Sequence, residues 1–184
     1  MKKKTSIILS MLLVFTIVVG GTIAYLMAKT DTVTNTFTVG NINIDLTETT
    51  GENYKMVPGN VLDKDPKVTV QAGSEASWLF VKVQKSSNFD TFIASTMADG
   101  WTQLKDKDGN DVTGVYYREV AATYTDTTFS VLKDNKVTVK GTVTKDMMDG
   151  ITENNKPTIS FTAYAVQKEN VTDAATAWDQ VKNM

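Results

Sequence analysis

The stretch SWLFVKV, residues 77 to 83, has apolar side chains on both faces of an extended chain. Alternate residues of a strand point to opposite sides, so Trp78 and Phe80 share one face while the leucine and the two valines share the other. Aromatic and β-branched residues are enriched in strands. The stretch therefore predicts a β-strand.

Alternation with a period of two residues recurs on either side of this stretch and predicts further strands. The chain has only three prolines, and Pro157 stands just before the last predicted strand, where a missing N–H costs least. The apolar residues that mark these strands are Val68, Val70 and Ala72, then 115 to 117, then Val137, Val139 and Val143, and finally Ile159, Phe161, Ala163 and Ala165. The chain is predicted to be mainly β.

Two short helices are predicted to interrupt the strands. The first follows Asn88 as its N-cap and ends before Gly100, and the second follows Thr172. Apolar side chains at helical spacing support both: Phe89, Phe92, Ile93 and Met97 in the first, and Ala174, Trp178 and Val181 in the second. Strands at short spacing with two small helices predict a jelly-roll-like β-sandwich.

The first 24 residues have the three parts of an export signal. Lysines at positions 2 to 4 form a positive start, and residues 7 to 19 form an apolar core. Thr22 and Ala24 then supply small side chains at the third and first places before a cleavage site. Cleavage is predicted directly after Ala24.

Cleavage before Tyr25 divides the chain into a signal helix, 1–24, and a single domain, 25–184. The domain keeps a net charge of (19 − 3) − 21 = −5, because the signal removes three lysines and no acid. In this interpretation the protein is secreted and touches a membrane only through the uncleaved signal. The apolar run can also be read through residue 28, which leaves a retained membrane anchor as the alternative.

Histidine and cysteine are both absent from the sequence. Without histidine, neither a Ser-His-Asp triad nor an HExxH zinc site can be built, and zinc loses its usual nitrogen and sulfur ligands when cysteine is missing as well. No catalytic residue and no cofactor is therefore assigned, and the chain is predicted not to be an enzyme. Basic residues stand singly among acidic ones, which gives no patch for nucleic acid.

The segment LKDKDGNDV, residues 104 to 112, is a weak candidate for a metal site. Asp106, Asp108 and Asp111 surround a glycine, as in the first half of a calcium loop. The glycine stands in the fourth place rather than the sixth, and Tyr117 replaces the glutamate of position twelve. Asp-Gly is also a frequent hairpin turn between strands, which is the favoured interpretation.

A threonine-rich strand is predicted over residues 33 to 46, following the export signal without a linker. Its alternation changes parity at Gly40, where a bulge or kink is expected. The apolar side chains of this candidate assembly strand are Phe37, Val39, Ile42, Ile44 and Leu46. Alternation alone fits a strand donated to another subunit and an edge or core strand of the same domain equally well.

Several segments along nearly the whole chain resemble the TasA/camelysin family. The N-terminal combination is the most specific of them, with GGTIAY at 20 to 25 followed by DTVTNTFTVGNINIDLTE at 31 to 48. The later segments are VPGN at 57 to 60, WLFVKV at 78 to 83, GVYYREV at 114 to 120 and ISFTAYAVQKENVTDAATAWDQV at 159 to 181. Each is less specific by itself, but they occur in the family's order.

The resemblance implies an exported protein of a Gram-positive bacterium that a SipW-type signal peptidase processes. Family members are similar to biofilm-matrix fibre subunits with a jelly-roll core, in which the N-terminal strand of one subunit completes the sheet of the next. Signal cleavage would then trigger self-association, because an uncleaved signal holds the front of the strand in the membrane. The alternatives are a monomeric surface adhesin and a camelysin-like metalloendopeptidase, for which the sequence supplies neither histidine nor cysteine.

Overall fold

The computed structural model describes residues 40–51 and 54–184. The predicted signal peptide and its cleavage site lie outside the described residues, and so do Phe37 and Val39 of the candidate assembly strand. The first strand of the described part begins at Ile44.

Ten strands and three short helices occur within the described residues, and the strand pairs are antiparallel. The strands are β1 Ile44–Thr47, β2 Val61–Asp63, β3 Lys67–Val70, β4 Ser77–Lys85, β5 Ile93–Ala94, β6 Thr102–Lys105, β7 Asp111–Val120, β8 Thr127–Ser130, β9 Lys136–Val139 and β10 Ile159–Gln167. The helices are α1 Phe89–Phe92, α2 Lys145–Asp149 and α3 Ala174–Val181. The mainly β prediction is confirmed.

The larger sheet has four strands in the order β10, β4, β7 and β6. β4 contains the SWLFVKV stretch and lies inside the sheet, with β10 on one side and β7 on the other. Its pairing with β10 runs from Ser77 opposite Gln167 to Lys85 opposite Ile159. Because both edges of β4 are paired and both faces are covered, its first five residues are buried.

The second layer consists of two three-stranded sheets, ordered β1-β3-β8 and β2-β9-β5. They are halves of one layer, because backbone hydrogen bonds continue between them. Lys64 N–H donates to Asn135 O at 2.8 Å, and Val131 N–H donates to Pro66 O at 2.9 Å. β2 and β3 thus form one interrupted strand, and β8 and β9 form its neighbour. With β1 and β5 at the edges, the two layers form a sandwich with the eight strands of a jelly roll.

The main core lies between the two layers. β4 contributes Leu79 and Val81, β3 contributes Val68 and Val70, and Val131 follows the end of β8. These side chains are fully buried. Burial of each aliphatic side chain of this size stabilises the fold by roughly 1.5–3 kcal/mol.

The outer face of the four-stranded sheet is covered by α3. Trp178 meets Tyr164 edge-on with ring centres 5.3 Å apart, and it meets Phe80 at 5.4 Å. The helix begins one residue later than predicted, because Asp173 rather than Thr172 accepts the capping hydrogen bond of the first turn. The apolar stripe of this helix is therefore part of the core.

The helix predicted between Asn88 and Gly100 is much shorter than expected. α1 covers only Phe89–Phe92, and Ile93 is already extended, with φ −127° and ψ 137°. The residues from Ile93 to Ala98 pair with β9 and with the residues that directly precede β9. The later apolar residues of the predicted helix face pack into the sandwich from this extended segment.

A further helix, α2, was not predicted. The Thr144 hydroxyl caps it by accepting a hydrogen bond from Met147 N–H at 3.3 Å. An adjacent lysine and aspartate predict solvated loop charges, but Lys145 and Asp146 form the first turn of α2. Both charged side chains are exposed, so only the backbone conformation differs from the expectation.

Candidate assembly surface

β1 lies at the edge of its sheet and pairs with β3 of the same chain. The register places Ile44 opposite Val70 and Thr47 opposite Lys67. Within the described residues, no strand is hydrogen-bonded to the outer side of β1. Within the described residues, β1, the end of the candidate assembly strand, is therefore paired with a strand of its own subunit on one side only.

The chain is attached to its own domain before β1 begins. Glu75 N–H donates to Asn41 O at 2.9 Å. Asn43 accepts from Gln71 N–H at 2.9 Å, and its own N–H donates to Ser74 Oγ at 3.2 Å. Attachment of the described chain therefore starts at Asn41.

Asp65 holds the segment that follows β1. It is buried at the interruption between β2 and β3. Its carboxylate accepts hydrogen bonds from Thr49 Oγ1 at 2.7 Å, Thr49 N–H at 2.9 Å and Thr50 N–H at 3.0 Å, and Lys67 adds an ion pair at 3.2 Å. The hydrogen bonds from Thr49 are the main reason that the pKa of this carboxyl lies far below its usual range.

Lys64 is buried beside this carboxylate and pairs with Glu48. Its Nζ lies 2.6 and 2.8 Å from the two carboxylate oxygens of Glu48. The ammonium also lies 5.3 Å from the centre of the Tyr54 ring, within range of a cation–π interaction. We refer to Glu48, Thr49, Thr50, Lys64 and Asp65 together as the corner clamp.

Lys64 and Asp65 are a second adjacent lysine and aspartate for which the sequence predicts solvated loop charges, and here that prediction is wrong. They are 8% and 7% exposed, respectively. Burial of a charged group is costly unless it is paired and hydrogen-bonded, and the corner clamp supplies both. Nothing in the sequence links these residues to positions 48 to 50, because the contact exists only once β1 lies beside β3.

The apolar residues of the candidate assembly strand are unequally buried. Ile42 and Ile44 are partly buried, and Ile44 packs against the core between the layers. Leu46 is 37% exposed and borders a cavity of about 390 Å³ together with Ile159 and Phe161 at the start of β10. The structure thus places the end of β1 next to the start of β10.

β10 is the longest edge strand among the described residues, with nine residues. β1 runs beside it in the opposite direction, because Gly40 lies next to Gln167 and Leu46 lies near Ile159. No ladder joins the two strands within the described part of the chain. The outer edge of β10 therefore presents backbone groups of the kind that an added strand pairs with.

The acidic segment after β6 forms the predicted turn. Asp106 Oδ1 accepts hydrogen bonds from Asp108 N–H at 2.9 Å and Asn110 N–H at 2.8 Å. The bond from Asn110 N–H is the main reason that the pKa of Asp106 lies below its usual value. Asp111 instead pairs with Lys105 at 2.7 Å, so the carboxylates of Asp106 and Asp111 serve different contacts.

Residues 40–51 and 54–184 contain neither a cluster of metal-binding side chains nor a membrane-spanning helix. No three acidic side chains of this part of the chain come together in an arrangement able to hold a metal ion. None of its helices is long and apolar enough to cross a membrane.

Comparison of the chain with models of known protein families, with curated proteins and with solved structures gave no match.

Proposed function

We propose that this protein is a secreted structural subunit of extracellular matrix fibres, which assembles by β-strand addition after its export signal is removed. In this proposal the N-terminal strand of one copy pairs with a strand edge of the next copy. The chain is then a building block rather than an enzyme, and a SipW-type signal peptidase is its partner during export.

The observation that carries the proposal is the position of the N-terminal end of the sandwich. β1 is an edge strand, and the nine-residue edge of β10 runs beside it without a ladder within the described residues. Unpaired edges of this length favour pairing with another chain, which most proteins prevent by covering or charging the edge. The inward side chains next to this edge are apolar and small or aromatic, namely Phe161, Ala163 and Ala165.

The sequence before β1 is long enough to supply the strand that pairs with the next copy. After the predicted cleavage, residues 25 to 40 make up 16 residues, and at about 3.3 Å per residue they reach roughly 53 Å when extended. Phe37 and Val39 give this segment apolar side chains of one parity, as a strand that fills pockets in an acceptor sheet requires. The resemblance to the TasA/camelysin family supports the same mode of assembly.

The test is assembly of the purified mature protein, 25–184, followed by electron microscopy and light scattering over time. We expect fibres from this protein and none from a matched variant that carries a folded fusion domain directly before Tyr25. The fusion leaves the sandwich intact but blocks the free end of the strand. A mature protein that remains monomeric at all times and concentrations would contradict the proposal.

The processing step has its own measurement. N-terminal sequencing of the secreted protein should give Tyr25 as the first residue, because Thr22 and Ala24 place small side chains before that bond. A full-length product retained in the membrane would instead support the anchor alternative.

A further inference from the structure

Arg118 of β7 is the only arginine in the sequence, and the other 19 − 1 = 18 basic residues are lysines. It lies opposite Leu79 in the pairing of β7 with β4, so its side chain is on the face of the sheet that turns toward the second layer. There the central carbon of the guanidinium lies 3.8 Å from the centre of the Phe129 ring and 5.3 Å from that of Trp101. The single arginine thus lies in an aromatic setting at the margin of the core.

The aromatic contacts hold the guanidinium in place. Both ring distances are within the range of a cation–π interaction, and stacking on aromatic rings is a property of the planar guanidinium that lysine does not share. Trp101 is itself fixed, because its Nε1–H donates to Ser130 O at 2.8 Å. A charged group that is already held loses little side-chain freedom when it binds a ligand. Arg118 is therefore preorganised for binding.

The charge of Arg118 has no acidic partner within the described residues. The ion pairs of residues 40–51 and 54–184 all use lysines. Nε of Arg118 is buried and has no hydrogen-bond partner, and burial lowers the pKa of the guanidinium. Aromatic rings bind a cation through their faces and leave its N–H donors unused. The cost of burying this charge is thus only partly compensated.

Gly100 leaves one end of the guanidinium open to solvent. A Cβ atom at Gly100 would lie 3.0 Å from Nη2 of Arg118. Gly100 is exposed, and its φ of +88° favours a residue without a side chain. The adjacent Asp99 is also exposed and makes no ion pair with a described residue. Nη2 therefore lies directly beneath a surface turn, where a ligand can reach it.

We propose that Arg118 is a binding site for a carboxylate, which approaches beside Gly100 and accepts hydrogen bonds from the guanidinium. The fork of N–H donors matches the oxygens of a carboxylate or of a phosphate. A carboxylate is favoured, because one cation next to Asp99, in a chain with more acidic than basic residues, leaves the second charge of a phosphate uncompensated. The carboxylate belongs either to a small organic acid or to an acidic side chain of a second copy. The site does not depend on the proposed fibre function.

The single arginine makes a test by nuclear magnetic resonance specific. The Nε–H of Arg118 gives the only arginine side-chain signal of this kind in the mature protein, and burial of Nε slows its exchange with water. Sodium acetate is the probe, exchanged for sodium chloride so that ionic screening stays constant. We expect the Nε–H signal and the backbone amide signals of Gly100 and Trp101 to shift along one saturation curve in the millimolar range. Methyl acetate, which has no charge, should shift none of these signals.

Three variants separate binding from folding. Arg118→Lys keeps the charge but lacks the fork, so acetate binding followed at the Gly100 amide should weaken at least about tenfold. Gly100→Ala should weaken binding of acetate as well, because its methyl group approaches Nη2. Gly73→Ala is the matched control, since Gly73 has a φ of +81° and no atom within 4 Å of its Cβ position. It adds a similar backbone strain without covering the guanidinium, and circular dichroism checks that each variant is folded.

Dilution of the protein without acetate distinguishes the two sources of the carboxylate. An Nε–H signal that moves on dilution indicates a carboxylate from a second copy. A signal that is constant on dilution but shifts to saturation with acetate indicates a small organic acid. The proposal is overturned if neither acetate nor dilution moves the signal, or if Gly100→Ala binds acetate as well as Gly73→Ala does. Both of these results leave the proposed fibre function unaffected.

Discussion

Gly114 of β7 lies against the backbone of Val83 in the neighbouring strand β4. Its φ is +71°, a left-handed conformation that side chains other than glycine rarely adopt. A Cβ atom at this position would lie 2.3 Å from Val83 O, which belongs to the backbone and cannot rotate away. Glycine is therefore required for both its conformation and its lack of a side chain.

We expect Gly114→Ala to lower the free energy of unfolding by about 1–3 kcal/mol, since it adds backbone strain and a steric conflict in the four-stranded sheet. Urea denaturation followed by tryptophan fluorescence measures the difference. Gly141→Ala is the matched control, because Gly141 has no atom within 4 Å of its Cβ position and an ordinary φ. Equal stability of the two variants would show that β4 and β7 can shift apart at this contact without lowering the free energy of unfolding.

The burial of charged residues is the property that the sequence predicted least well. The corner clamp joins positions 48 to 50 with 64 and 65, and no short-range pattern indicates that two adjacent charges of opposite sign will be buried. The burial of apolar residues was easier to predict. Val68 and Val70, like Leu79 and Val81, are two residues apart in the sequence, the spacing that puts side chains on the same face of a strand. Alternation is a local property, whereas burial of an ion pair depends on which strands meet.

At the scale of elements, the long strands follow from sequence, whereas several of the short ones do not. β4, β7 and β10 have nine or ten residues and repeat their pattern several times. β2, β5 and β8 have two to four residues, which is too few for a period of two to stand out. The predicted first helix was shortened because Ile93 and the residues after it pair with β9, an example of tertiary pairing that overrides local spacing.

α3 is the element whose core contacts can be tested most simply. Trp178 is 6% exposed and packs against Phe80 and Tyr164. Trp178→Ala should lower the free energy of unfolding by about 3–5 kcal/mol, because it leaves a cavity between the helix and the four-stranded sheet. Gln180→Ala on the exposed face of the same helix should change it by less than about 0.5 kcal/mol.

Chemical denaturation monitored by circular dichroism suits both α3 variants. A small loss in Trp178→Ala would mean that the sandwich folds without its helical cover. In that case the sheet would remain folded with its outer apolar face exposed.

At the scale of the whole molecule, several carboxyl groups make the fold sensitive to acid. The pKa values of Asp65, Asp106 and Asp173 lie below the ordinary 3.8, and hydrogen bonds from Lys107 and Lys182 lower that of Asp179 to about 2. A carboxyl with a lowered pKa in the folded state stabilises the fold above its ordinary pKa. That stability is lost as the pH falls through the folded-state value.

We therefore expect the free energy of unfolding to be nearly constant from about pH 5 to 7 and to fall between about pH 4 and pH 2. Urea denaturation at a series of pH values gives the profile. Asp65→Asn should be less stable at pH 7 and should lose less stability on acidification, because it cannot gain the proton. A profile for Asp65→Asn parallel to that of the unmodified protein would mean that Asp65 has an ordinary pKa.

The position of β1 also determines how a fibre of such subunits would respond to tension. A force applied at Gly40 along the axis of β1 acts at right angles to the hydrogen bonds with β3, because ladder bonds lie across the strands. The rungs from Ile44 to Thr47 would then stretch together in shear rather than open one after another. Beyond the last rung, the corner clamp adds an ion pair to the buried Lys64 and hydrogen bonds to the buried Asp65. Such a fibre would extend little under increasing tension and then fail abruptly.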